Sequence, residues 1–210
     1  VINHWISENP NIVVNFKSRE NKGINATLNE LISLSRGKYV CFLASDDRLY
    51  LNSIQNRVNA LKENPGKIAA IGDAEVIDSE NKFVYKSAIE DLYRGDKKKY
   101  LTDAGLKYMV IKQFSVPGGV LLVEKKIFDL IGLFPEKIFA EDIHFYLRVI
   151  GLNLLIFIDE PVAYYRVHVN NTVGNEKYDT QINLTFIYSY LVNIKYYDWR
   201  MKLRIMRKLA

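Results

Sequence analysis

Apolar positions along the chain switch repeatedly between a period of two and a period near 3.6. KYVCFLA (38–44) is an almost unbroken apolar run with β-branched and aromatic members, which predicts a buried strand. NSIQNRVNALKENP (52–65) predicts a helix, with Asn52 as N-cap, Gln55 three positions on, and Ile54, Val58 and Leu61 on one face. Upstream, VINHWISENP reads as the end of a helix before Pro10, and NIVVNFKSRE (11–20) as a short strand. NKGINATLNELISLSRGK (21–38) carries Ile24, Leu28, Leu31, Ile32 and Leu34 at helical spacing and Gly37 as terminator. KIAAIGDAEVID (67–78) predicts another strand.

Residues 79–114 are less regular, with SENK, YRGDKKKYL and a helix around DAGLKYMVIKQF; the DKKK run (96–99) reads as a solvated loop. SVPGGVLLVEKKIFDLIGLFPE (115–136) then reads as a Gly-Gly turn, a strand and a helix ended by Gly132. FAEDIHFYLRVIG (139–151) has helical spacing at Ile143, Tyr146, Leu147 and Ile150, and LNLLIFIDEPVAYYRVHVNN (152–171) is strand-rich. Residues 178–210 read as one or two helices. The alternation predicts an α/β fold with a mostly parallel central sheet flanked by helices. Without a repeat or a low-complexity linker, residues 1–175 form one domain and 176–210 a C-terminal helical extension.

Composition narrows the class only a little. The 210 residues suit one domain with a sizeable core. Lys and Arg exceed Asp and Glu by 29 to 24, a net charge of +5 too diffuse to indicate nucleic acid, and no aromatic-interleaved basic motif of the nucleic-acid-binding kind stands out. The single cysteine, Cys41, rules out a disulfide framework, points to a reducing compartment and reads as a small buried hydrophobe. No apolar run is long enough to span a membrane, and the opening residues do not read as a signal peptide. Together these suit a cytoplasmic protein.

Candidate chemistry changes the picture more. Asp46 and Asp47 lie at the carboxyl end of the KYVCFLA strand, in the loop before a helix, where open α/β sheets bind ligands. One Asp there would be an ordinary turn residue; two adjacent carboxylates repel unless a cation or donors offset them. A second pair, Glu141–Asp142, opens a predicted helix, where carboxylates also favour the positive end of the helix dipole.

In order, the landmarks are NKGINATLN on a helix, SDD after a strand, PGG before a strand, ED at a helix start, and YYRVHVNNT. That order, over about residues 1–175, resembles the inverting family 2 glycosyltransferases of GT-A fold. The resemblance implies a divalent cation, Mg²⁺ or Mn²⁺, held by Asp47, with Asp46 contacting the nucleotide-sugar donor, a UDP-sugar. It implies that Asp142 is the base that deprotonates the acceptor, with Glu141 orienting the site or capping the helix. Arg166 offers a fork of donors for phosphate oxygens, and His168 would reach the diphosphate or the metal. Asn21 and Gly23 match the family's donor-side N-x-G signature, or form a capped helix start; Gly118 and Gly119 let a sugar approach the backbone, or form a simple turn. Tyr164 and Tyr165 read as packing, and His144 as incidental.

The chain also departs from that family. The N-terminal strand–helix–strand unit that grips the nucleotide base has no counterpart, and the chain opens at Val1 in mid-helix, so an upstream portion is expected. An edge strand left open there would invite self-association. KYYDWRMKLRIMRKLA (195–210) interleaves basic residues with Trp199, Met201, Leu203 and Ile205, and reads as a helix for the inner face of an anionic membrane carrying a lipid-linked acceptor, or one packed on the domain. Two function classes follow: a transferase that builds a surface polysaccharide or glycan, and a non-catalytic fragment or pseudoenzyme that binds through its basic tail. A nucleotidyltransferase lacks support, since no G-x-x-x-x-G-K loop occurs.

Overall fold

A computed structural model describes residues 2–169, 171 and 176–210, apart from the side chain of Glu176. The 175/176 division and part of the NNT landmark lie outside the described residues. Helix α1 (Ile2–Glu8) leads to residues 13–20, which form neither helix nor strand. The strand expected there is absent: Ile12, Val13, Val14 and Phe16 are exposed, and no described strand lies beside them to take up their backbone bonds.

Helix α2 (Ile24–Leu34) forms as predicted but turned about its axis. Asn25, Asn29 and Ile32 face inward while Ile24, Leu31 and Leu34 are exposed. The cause is polar and distant in sequence. Asn25 Nδ2 donates to the carbonyls of Pro135 (2.7 Å) and Ile138 (2.8 Å), and Asn29 exchanges two 2.9 Å bonds with the backbone of Phe134. Gly37 does not end the helix; Ser35 does, with its N–H bonded to Leu31 O.

Strands β1 (Tyr39–Cys41) and β2 (Arg48–Leu49) flank the Asp46–Asp47 loop, and α3 (Ser53–Glu63) follows. Asn52 stands at the N-cap but with left-handed backbone (φ 63°) and no capping bond from its side chain. The buried face of α3 is Ser53, Arg57, Ala60 and Leu61, while Ile54 is exposed. Arg57 has 0% exposure and donates to Ser53 O (3.0 Å) and Val120 O (2.7 Å), tying α3 to the residue that follows the Gly-Gly turn.

Next come β3 (Ala69–Ile77), β4 (Phe83–Tyr85), a π-helical turn (Ala88–Leu92), α4 (Lys97–Tyr100) and α5 (Asp103–Lys112). The DKKK run is therefore helical in part, and Lys97 ion-pairs with Asp159 (3.0 Å) and the buried Asp73 (3.6 Å). Then follow β5 (Leu122–Glu124), α6 (Ile127–Ile131), α7 (Glu141–Gly151) and β6 (Leu155–Arg166). Helices α8 (Asp179–Asn193) and α9 (Trp199–Leu209) complete the chain; α8 packs on α7 and α9 on α5, placing Tyr190, Tyr197 and Ile205 in the main core.

The described strands form one sheet in the order β1-β5-β3-β6-β2, with β4 on β3. The α/β class holds, but the sheet is mixed, not mostly parallel: only β3 and β6 run parallel, and the other pairs are antiparallel. Successive strands separated by helices do not lie side by side here. β5 inserts between β1 and β3 in the opposite sense, so the crossovers yield one parallel pair. β1 lies at the sheet edge.

Candidate active site

The end of β1, the Gly118–Gly119 turn and the start of α7 enclose a cavity of about 640 Å³. Phe42 to Ala44, Gly118, Gly119, Glu141 and Asp142 line it, and Ile24, Leu28 and Leu31 of α2 form an apolar wall. The outward face of α2 therefore faces this opening.

Asp47 is 8% exposed. Its Oδ1 accepts a 3.0 Å bond from the backbone N–H of Arg166, fastening the loop to the last residue of β6. The other oxygen lies over the glycine turn. A Cβ on Gly119 would stand 3.2 Å from Asp47 Oδ2, and one on Gly118 3.5 Å from the same atom and 3.4 Å from Tyr165 Cε2. Gly119 also has φ 71°, a conformation that other residues adopt at a cost. These glycines form a turn, and the group that comes close to it is the Asp47 carboxylate. Desolvation raises the Asp47 carboxyl above its ordinary range; the Arg166 N–H opposes this and the Asp46 charge adds to it.

Asp46 Oδ2 lies 3.0 Å from His168 Nε2. The imidazole is thus paired with Asp46, the neighbour of the residue it was expected to join on a metal. Arg166 is engaged within the protein: Nε donates to Asp46 O (2.8 Å), Nη1 to Asp78 O (2.5 Å) and Nη2 to Asn81 Oδ1 (2.7 Å). Its guanidinium pins the acidic loop to the β3–β4 turn. Among the described residues, no cluster of three or more His, Cys, Asp or Glu stands ready-made for a metal. The donor set nonetheless suits a hard divalent cation: two carboxylates that repel each other, one desolvated, with an imidazole alongside.

Across the cavity, Asp142 and Glu141 open α7. Asp142 Oδ1 accepts from the N–H of Ile143 (2.7 Å). Burial pushes the Asp142 carboxyl up, against the backbone amides of Ile143 and of Asp142 itself. Glu141 is pushed up to about 7, by burial first and by the Asp142 charge second. Both residues are half-buried in the cavity wall and titrate with difficulty for the same reason.

Tyr93 and Tyr165 stand between the two acidic pairs, their ring centroids 6.3 Å apart. Burial raises both hydroxyls, and each also senses the charges of Asp47 and Asp142. Tyr165 packs against the main core, as its sequence position suggested, and so does Tyr93, which lies just beyond an irregular π-helical turn. Nothing local in the sequence indicates that Tyr93 meets Tyr165. Tyr164, by contrast, stacks on Tyr50 at 4.3 Å, away from the acidic pairs.

Asn21 and Gly23 are not gathered with these groups. Asn21 Oδ1 accepts from Gly23 N–H (2.8 Å), Gly23 has φ 87°, and Asn21 lies in a separate depression with Lys17, Arg19 and Glu30. They reach the cavity only through Ile24, the next residue. His144 is buried, 3.0 Å from Arg148 Nη2, and held neutral to about pH 4 by desolvation and then by that charge.

The family model described as Glycosyl transferase family 2 matches residues 2–120, more than half of the chain. The chain belongs to glycosyl transferase family 2. An uncharacterised glycosyltransferase of Rickettsia prowazekii is 25% identical over 158 residues, 74% of this chain and 48% of its own length. A second, from Rickettsia typhi, is 25% identical over 163 residues, 75% of this chain and 49% of its own length. This family 2 chain thus spans about half the length of the curated relatives it matches.

Solved structures agree on the GT-A fold. S. aureus TarS in complex with UDP-GlcNAc is similar with a TM-score of 0.60 at 13% identity, over 93% of this chain and 53% of that one. The mannosyltransferase PcManGT of Pyrobaculum calidifontis, in complex with GDP-Man and Mn²⁺, has a TM-score of 0.59 at 15% identity, over 92% of this chain and 50% of that one.

Proposed function

We propose that this chain carries the catalytic groups of an inverting, metal-dependent glycosyltransferase. It would move a sugar from a nucleotide-diphosphate sugar, of the UDP class, to a hydroxyl of a glycan or lipid-linked acceptor, in making a surface polysaccharide or glycan. One observation carries the reading. The Asp47 carboxylate lies against Gly119, and Gly119 lines the same cavity as Asp142.

In such a transfer the acceptor oxygen bonds to the anomeric carbon as the bond to the diphosphate breaks, and the electron pair leaves with the diphosphate. Asp142 takes the proton of the attacking hydroxyl. Its raised affinity for a proton suits a base. Asp47, with His168, would hold Mg²⁺ or Mn²⁺, which when bound offsets the negative charge of the diphosphate, and Asp46 would contact the donor. Arg166 positions that loop through Asp46 O, and Gly118 and Gly119 leave room beside it. The complexes of TarS with UDP-GlcNAc and of PcManGT with GDP-Man support a nucleotide-sugar donor, and the first of them a UDP-sugar.

Calorimetry of UDP with this chain, with and without Mn²⁺, tests the donor half. Binding that requires the ion and disappears in Asp47→Ala is the expected result. Asp142→Asn should keep that binding and lose about 10²–10⁴-fold in transfer rate. A folded chain that binds no UDP under either condition would leave a non-catalytic binding module as the better reading.

A further inference from the structure

Helix α9 has one face in the core and a second that stays largely exposed beside α5. Ile205 is buried, Met201 and Leu209 are half-buried, and Lys208 Nζ donates to Ile111 O (2.6 Å) and Lys112 O (3.2 Å) at the end of α5. Asp198 caps the helix through its bond from Met201 N–H (3.0 Å). At 100° per residue, the side opposite Ile205 carries two parallel stripes. One holds Trp199, Leu203 and Met206, which are 70%, 38% and 52% exposed. The other holds Arg200, Arg204 and Arg207.

Beside these stripes, α9 and α5 form a groove of about 570 Å³ that no carboxylate lines. Arg204 and Lys112 both face the Tyr108 ring in it, 5.0 and 5.6 Å from the centroid. Among the described residues, Lys112, Arg200, Arg204 and Arg207 form no ion pair with a carboxylate. A helix whose apolar side is already packed should present only polar groups outward. An exposed apolar stripe running alongside unpaired arginines departs from that rule.

We propose that this face docks on the surface of an anionic bilayer. Trp199, Leu203 and Met206 enter the headgroup boundary, and the three arginines lie against lipid phosphates. Charge alone would suit any polyanion; the apolar stripe at the same depth selects a bilayer, whose boundary offers both environments within a few ångströms. No helix among the described residues is long and apolar enough to cross a membrane, and the contact proposed for α9 is with the bilayer surface. The proposal is independent of the nucleotide and metal reading.

The test is co-sedimentation of the whole chain with vesicles of phosphatidylcholine, with and without phosphatidylglycerol. It is joined by Trp199 fluorescence in a Trp5→Phe background, since Trp5 is the one other tryptophan. Expected are binding to the phosphatidylglycerol vesicles, a blue shift of Trp199, and weakening by salt. Arg200→Gln/Arg204→Gln/Arg207→Gln should lower the partition coefficient on the order of a hundredfold. Leu203→Ser/Met206→Ser should weaken binding while retaining its dependence on salt, and circular dichroism confirms that each variant is folded. Equal binding to neutral vesicles, no binding to either, or full binding by the folded arginine variant would overturn the proposal. So would a salt-sensitive association in which Trp199 shows no shift, which would point to a soluble polyanion. UDP binding by the same preparations separates a failure here from a failure of the transferase reading.

Discussion

Gly119→Ala isolates the geometry that places Asp47. Two effects add at this position. The backbone has φ 71°, where a Cβ costs about 1–2 kcal/mol. The new methyl would also stand 3.2 Å from Asp47 Oδ2, 3.6 Å from Leu43 Cδ1 and 3.7 Å from the Ala163 Cβ, so the carboxylate must retreat by a few tenths of an ångström. Gly118→Ala is the matched control. Its Cβ meets Asp47 Oδ2 at 3.5 Å and Tyr165 Cε2 at 3.4 Å, ordinary contacts, and its φ is not positive. The control should be neutral, or gain up to about 1 kcal/mol from a less flexible unfolded chain.

Urea unfolding should therefore separate the pair by about 1–3 kcal/mol, with Gly119→Ala the less stable. Its melting point should fall by roughly 3–6 °C. The same calorimetry of UDP with Mn²⁺ should show weakened binding for Gly119→Ala and little change for Gly118→Ala. If the two variants unfold together and bind alike, the turn does not set the position of Asp47 and the argument fails.

Three further outcomes follow from the buried acids. Glu141 has a folded-state value of about 7 against 4.5 in the unfolded chain, so the folded state holds the proton more tightly and stability is lost as pH rises across that window. Glu141→Gln should thus be the more stable form at pH 8, on the order of 1 kcal/mol after allowance for solvent screening, and equal to the wild type at pH 4, as measured by urea titration. Since Asp142 must be ionised to act as a base and burial raises its carboxyl, the acidic limb of the rate profile should lie above the ordinary carboxylate range; a limb near pH 4 would remove it from that role. Asp73 accepts from Ser87 Oγ (2.5 Å) and Ile89 N–H (3.2 Å), anchoring the π-helical turn that precedes Tyr93. Asp73→Ala should cost about 2–3 kcal/mol in urea unfolding, and Ser87→Ala clearly less.

Where the acidic pairs sit in the fold could be read from local pattern. A strand that runs into SDD, a PGG turn and an ED opening a helix each announce themselves within a dozen residues. What could not be read depends on partners far along the chain. The Leu-rich side of α2 looked like its packing face, yet the helix buries Asn25 and Asn29, because carbonyls more than a hundred residues away need their amides. Arg57 lies outside the Ile54, Val58 and Leu61 set, and its burial rests on the carbonyl of Val120, 63 residues on, as well as that of Ser53. The sheet misled for a similar reason: periodicity shows that strands and helices alternate, but not that β5 slots between β1 and β3 in reverse. Arg166 was assigned by its chemistry to phosphate, while its three partners lie on two turns that no local pattern connects to it.

That last arrangement bears on how the molecule can be handled. The β3–β4 turn is exposed, and its tip would be an obvious place for a dye, an affinity tag or an inserted peptide. It is not an indifferent one. Asn81 and Asp78 grip the far side of the same guanidinium that holds Asp46, so a graft at 78–82 reaches the acidic loop through a single side chain. The same connection makes the turn a useful place to listen: a reporter at Glu80, one residue from Asn81, sits outside the cavity yet is mechanically joined to the Asp46–Asp47 loop.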